Sequence, residues 1–178
     1  KKIVTIPNGI YEKAYSTNID KLAFKKELGI NSKGKVLGVA VRLTKQKGLT
    51  YLLKAMPKII KKFNDITLII AGDGPLEKEL KQEAEDLGIN NSVKFLGPRY
   101  DIPQLLNLFD LYVMPSLWEG LPMIILEAFA AKCPILSTDV GGISSAICSG
   151  ENGILISSES VVELEDGIIK ALKKPDVL

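Results

Sequence analysis

Apolar and polar positions along this chain follow two distinct periods, and those periods predict its elements. Short apolar runs bounded by glycine or polar residues recur at residues 3–6, 35–41, 66–71, 93–96, 111–114, 134–137 and 154–156. Being continuous rather than alternating, the longer runs read as strands buried on both faces. Between the runs lie stretches with helical spacing at residues 20–28, 49–63, 76–87, 123–132 and 159–172. A further helix, capped by Asp101, carries Leu105, Leu106 and Phe109. Gly29 and Gly88 suit helix ends, and Pro75 suits the first position of the helix that follows it. Pro57 lies inside the 49–63 pattern and predicts a kink or break near Ala55. Strands alternating with helices through the whole chain imply an α/β fold, a doubly wound parallel sheet covered on both faces. Ligands of such sheets sit at the carboxyl ends of the strands. The polar, glycine-bearing segments 42–48, 72–74, 97–100, 116–120 and 139–142 each follow a strand and would line that one edge.

The stretch PSLWEGLPMIILEAFAAK, residues 115–132, concentrates the candidate chemistry. A loop that feeds a helix amino end collects unpaired N–H groups and the positive end of the helix dipole, a natural seat for phosphate. Two carboxylates fall in it, Glu119 in the loop and Glu127 in the helix. Glu127 is surrounded in sequence by Ile124, Ile125, Leu126, Ala128, Phe129 and Ala130, so its charge calls for a partner or a polar ligand. Arg42 and Lys47 share one strand-to-helix loop, where a guanidinium and an ammonium can converge on a diphosphate beside the amides near Gly48. Trp118 reads as a packing aromatic at the loop base. Gly141 and Gly142 either admit a ligand close to the backbone or make a turn. Gly72-Asp73-Gly74 lacks the third glycine of a dinucleotide fingerprint, since position 77 is Glu77, and reads as a tight turn.

Composition narrows the chemistry. The chain has 178 residues, 46% hydrophobic and 25% charged, enough for one well-packed domain over residues 1–178. Its net charge of +2 gives no overall push toward nucleic acid or membrane. No run of about eighteen apolar residues and no signal-peptide pattern occurs. Histidine is absent, which removes the commonest general base. Cys133 and Cys148 have no metal or redox spacing and read as two free core thiols of a reducing, cytoplasmic compartment. Two glutamates without histidine or an Asp-x-Asp pair do not argue for a divalent metal.

Taken together, Ile6-Pro7-Asn8-Gly9, Arg42-Leu43 with Lys47-Gly48, Ala71-Gly72-Asp73-Gly74-Pro75, Phe95-Leu96-Gly97, Pro115-Ser116 with Glu119-Gly120 and Leu126-Glu127-Ala128, and Gly141-Gly142 with Gly150-Glu151-Asn152-Gly153 resemble, in order and spacing, the carboxyl-terminal domain of a retaining glycosyltransferase of family four. The resemblance implies a Rossmann-like sheet that forms one half of a GT-B fold. It implies that Arg42 and Lys47 hold the donor diphosphate and support the leaving group. It implies that Glu127, second glutamate of the E-x7-E motif, accepts ribose hydroxyls, and that Glu119, the first, lies near the donor sugar. Amides around Gly120, Leu121, Pro122 and Met123 would face the phosphates. Leu96 and Gly97 would meet the base, with Arg99 or Tyr100 contributing. No metal or other cofactor is implied; the nucleoside-diphosphate sugar is the substrate. Val41 replaces a glycine usual before the arginine, Leu121-Pro122 replaces Phe-Gly, and Ser144-Ser145 stand where Pro-Glu is common.

The abrupt opening strand, with no initiating methionine, leads us to expect an amino-terminal acceptor-binding domain before this one. Any peripheral membrane association would come through that domain. Transfer is then expected to need both halves. Two other readings fit the pattern less well: half of a GT-B sugar-nucleotide epimerase, and a Rossmann-like binding module without sugar chemistry. A plain scaffold has no use for Glu127 in so apolar a helix.

Overall fold

The computed structural model describes residues 9–15 and 17–173. Among these, six strands form one sheet: β1 (Lys35–Ala40), β2 (Ile66–Ala71), β3 (Val93–Gly97), β4 (Leu111–Met114), β5 (Ile135–Thr138) and β6 (Ile154–Ile156). The helices between and around them are α1 (Lys21–Glu27), α2 (Leu49–Lys62), α3 (Glu77–Asp86), α4 (Ile102–Leu108), α5 (Met123–Ala130) and α6 (Val161–Lys173). The expected strand at residues 3–6 and the turn residues Pro7 and Asn8 lie outside the described residues.

Every strand pairing is parallel, in the order β3-β2-β1-β4-β5-β6. The chain winds outward from β1 to β3, crosses back to lay β4 against β1, and winds outward again to β6. Helices cover both faces because consecutive strand residues point to opposite sides and both sides are apolar. Leu37, Val39, Leu68, Ile70, Leu111 and Val113 face α2 and α6 in one core layer. Val36, Ile69, Tyr112, Met114 and Ile135 face α4 and α5 in the other. This is the Rossmann-like, doubly wound fold that the pattern predicts.

Three local expectations are corrected. α2 runs unbroken through Pro57. A proline inside a helix costs about 3 kcal/mol, but Pro57 is exposed, and Leu49, Leu52, Leu53, Met56 and Ile59 are buried on the opposite face. At about 1.5–3 kcal/mol for each large apolar side chain, that burial outweighs the lost bond. Pro75 sits before α3 rather than at its first position, since Leu76 caps the helix and its N–H is taken by the Leu43 carbonyl at 3.1 Å. Cys133 is buried as expected, but Cys148 is exposed on the turn before β6.

Burial and the loss of hydration push the Cys133 thiol up to about 12 from its ordinary value of 9.0. The thiol thus stays neutral in the folded chain while the unfolded chain ionises. Its contribution to stability is complete below pH 9.0 and is lost as pH rises through about 12. Denaturant titrations at rising pH should show this decline, and Cys133→Ala should flatten it. An aromatic disulfide reagent should modify Cys148 rapidly and Cys133 only on unfolding.

Packing of β1 predicts a second effect. Gly38 lies under the Phe109 ring, where a Cβ would overlap the ring atoms. Gly38→Ala should therefore destabilise the chain by about 1–3 kcal/mol, the usual penalty for overpacking a filled core, and urea unfolding would measure it.

Candidate functional site

The sheet reverses its winding between β1 and β4, and such a reversal opens a crevice at the carboxyl ends of the two strands. The loops leaving them are stitched together over that crevice. Gly48, in the left-handed region at φ 61°, sits where a Cβ would overlap the Pro115 carbonyl. Leu117 N–H donates to the Gln46 carbonyl at 2.8 Å, and Gln46 Nε2 donates to the Trp118 carbonyl at 2.9 Å. On the other side, Leu43 N–H donates to the Asp73 carbonyl at 2.6 Å, binding the loop after β1 to the loop after β2.

A cavity of about 440 Å³ opens along this edge. Val41, Arg42, Asp73, Arg99, Ile124 and Glu127 are among the residues that line it. Three elements of the sheet edge thus bring Arg42, Arg99 and Glu127 to one space, although 85 positions separate the first from the last. Arg42 is exposed and makes no salt bridge among the described residues. Arg99 is held by Asp101 through a two-pronged contact, Nε to Oδ1 at 2.7 Å and Nη2 to Oδ2 at 2.5 Å. That hydrogen-bonded pairing lowers the Asp101 carboxyl below its ordinary value and raises the guanidinium. Asp101 stands at the amino end of α4 as expected, but its carboxylate serves Arg99 and makes no capping bond.

Glu127 projects from α5, whose amino end is capped only by Pro122 and has no side-chain capping bond. Its neighbour across the site is Tyr15. The Tyr15 hydroxyl is raised above its ordinary value by burial, then by the charge of Glu127 and a hydrogen bond to it. Tyr15 is fastened in turn by its carbonyl, which accepts from Asn107 Nδ2 at 2.8 Å. Beneath the cavity, the buried Tyr112 hydroxyl on β4 donates to the Ala40 carbonyl at 3.2 Å, and burial raises its pKa strongly.

Lys47 and Glu119 stand outside the cavity lining and are engaged with each other, Nζ to Oε1 at 2.5 Å. Ser116 Oγ donates to the same oxygen at 2.8 Å. The Ser116 carbonyl accepts from Thr138 Oγ1 at 2.6 Å, so a hydroxyl at the end of β5 supports the loop after β4. Gly141, in the left-handed region at φ 59°, lies where a Cβ would overlap the Glu119 carbonyl, and Gly142 N–H donates to the Gly120 carbonyl at 3.0 Å. The glycine pair thus admits backbone to backbone. Ser145 Oγ closes that turn by donating to the Gly142 carbonyl at 2.6 Å.

Other predicted residues fall elsewhere. Gly120, Leu121 and Pro122 lead into α5, which Met123 opens, Leu96 and Gly97 end β3, and Tyr100 is 99% exposed. Trp118 is 54% exposed rather than packed at the loop base, and its carbonyl accepts from Gln46. Sequence reasoning gave no role to Ser116, Thr138, Gln46, Asp73 or Tyr15. The hydroxyls at 116 and 138 sit just after or at the end of apolar strands, and that position was the available signal. Among the described residues, no three of His, Cys, Asp and Glu gather to hold a metal ion.

A sequence profile for glycosyl transferases group 1 matches residues 20–177. The chain is 33% identical over 175 residues to the Escherichia coli UDP-Gal:alpha-D-GlcNAc-diphosphoundecaprenol alpha-1,3-galactosyltransferase, covering 96% of this chain and 44% of that protein. It is 32% identical to an uncharacterized glycosyltransferase of Methanocaldococcus jannaschii, over 96% of this chain and 45% of the relative. The fold superposes on the crystal structure of Anabaena HepE in complex with UDP-glucose with a TM-score of 0.87 at 30% identity, over 95% of this chain and 47% of that one. The chain spans about half the length of the curated relatives it matches. With its sheet order, its cavity at the winding reversal and a profile match over most of its length, the chain belongs to the glycosyl transferases group 1 family, as a domain with the fold of one half of a GT-B glycosyltransferase.

Proposed function

We propose that this chain is the nucleotide-sugar-binding half of a retaining glycosyltransferase, which transfers a sugar from a nucleoside-diphosphate sugar to a glycan, lipid or small-molecule acceptor. The observation that carries the reading is the convergence of Arg42, Arg99 and Glu127 on one cavity at the winding reversal. Arg42 and Lys47 hold the diphosphate and balance the charge that builds on it as the glycosidic bond breaks. The amides from Gly120 to Met123, at the uncapped start of α5, add the positive end of the helix dipole. Glu127 accepts the ribose hydroxyls, and Tyr15 steadies its carboxylate from the far side. Glu119 serves the donor sugar. The end of β3 meets the base, with the Arg99 guanidinium, fixed by Asp101, presented to the cavity while Tyr100 faces solvent.

Charge balance by side chains and helix amides needs no metal ion or further cofactor in this reading. An acceptor-binding amino-terminal domain supplies the second substrate and any contact with a membrane surface, and this half alone does not turn over. The relatives support it: their names include a galactosyltransferase, and HepE is seen with UDP-glucose. We place the reaction in the cytoplasm, where sugar nucleotides are supplied and free thiols persist.

Thermal unfolding with UDP, GDP or ADP tests the reading. A nucleotide at about a hundred times its dissociation constant adds roughly 2.7 kcal/mol of stability, so one of the three should raise the melting temperature clearly. Glu127→Ala should reduce that rise, and a variant that responds as fully as the unaltered chain would remove the ribose assignment. Gly141→Ala should cost about 1–2 kcal/mol from its left-handed backbone alone. It should also weaken UDP-glucose binding, measured by calorimetry, because the new Cβ displaces the Glu119 backbone.

A further inference from the structure

Lys47 and Glu119 form the least exposed ion pair among the described residues, their side chains 18% and 6% accessible. Two further contacts hold Glu119 beside the ammonium. Its Oε1 takes the Ser116 hydroxyl at 2.8 Å, and Gln46 Nε2 reaches Oε2 at 3.5 Å. Ser116 is itself fully buried and supported by Thr138. The cation assigned to the donor diphosphate is therefore already balanced by a fixed carboxylate, while Arg42 makes no salt bridge among the described residues.

Donor and product meet this pair differently. A nucleoside diphosphate ends in a phosphate with a second ionisation near pKa ~6, so it brings one more charge than the sugar nucleotide and no hydroxyl for Glu119. It must draw on Lys47 while lying near an anion. A sugar nucleotide brings the smaller charge and sugar hydroxyls that donate to Glu119 as Lys47 turns toward the diphosphate. We infer that the Lys47–Glu119 pair is a discriminator that favours the intact sugar nucleotide over the nucleoside diphosphate left after transfer, easing product release. This rests on the donor-site reading above and goes beyond it, because it assigns Glu119 an unfavourable effect on one ligand as well as a favourable contact with the other.

Calorimetric titration of the chain with UDP and UDP-glucose, and with GDP and GDP-mannose as a second pair, tests the inference. Glu119→Gln keeps the shape and the Ser116 contact but removes the charge. It should tighten the diphosphate by about five- to tenfold, or ~1–1.4 kcal/mol, and lower the preference for the sugar nucleotide. Ser116→Ala, which loosens the carboxylate, should move the preference the same way by less. In a Lys47→Met background, Glu119→Gln should change diphosphate affinity by no more than about twofold, since the cation it acts through is gone. Unchanged or weaker diphosphate binding by Glu119→Gln overturns the discriminator, as does the same gain without Lys47. Failure of the donor-site reading looks different: Arg42→Ala and Glu127→Ala would then leave nucleotide affinity untouched. No binding of either pair by the unaltered chain overturns both.

Discussion

Where β1 and β4 run side by side, the chain arrives from opposite windings and the loops leaving the two strands must share one edge. They do so by direct backbone contact. Gly48 lies against Pro115 and Leu117 bonds to Gln46, while Gly141, on the loop after β5, lies against Glu119. A side chain at either glycine would hold the loops apart. The edge is thus a surface of interlocked turns. Such interlocking matters because charged groups placed in advance act on a ligand without the cost of reorganising.

The polar groups of this edge are arranged in depth. Ser116, Ser137 and Thr138 are buried polar residues of the described chain, and all three lie at the carboxyl ends of β4 and β5. A buried hydroxyl is costly unless it is bonded. Thr138 meets that demand by donating to the Ser116 carbonyl, and Ser116 by donating to Glu119. Bonding needs of the interior are therefore satisfied by the same contacts that hold the Glu119 carboxylate in place. Asp101, which holds Arg99 by two hydrogen bonds, fixes a charged group at the cavity in a similar way.

In the donor-binding reading proposed above, such an arrangement suits a site that must grip a highly charged ligand and then release it. Two of its cations are already paired, Arg99 with Asp101 and Lys47 with Glu119. Arg42 is exposed and free of salt bridges among the described residues, so it can meet an incoming anion first. Lys47 is paired with Glu119.

Much of this was legible in the order of residues. Continuous apolar runs at Lys35–Ala40 and Ile66–Ala71 demanded burial on both faces, and helices between them demanded parallel crossovers, so the doubly wound sheet followed from local pattern. The exposed side of α2 carrying Pro57 did not follow, because a local rule against proline cannot weigh the buried face opposite. Arg42, Lys47, Glu119 and Glu127 stood out as candidates by residue type and through the family resemblance. Which of them meet was decided only in three dimensions. Residues 47 and 119 pair through space, Arg99 turns to Asp101, and Trp118 is left in solvent, since such contacts depend on how separate loops pack. Periodicity fixes which face of an element is buried; it carries no information on the distance between two loop side chains that lie far apart in the chain.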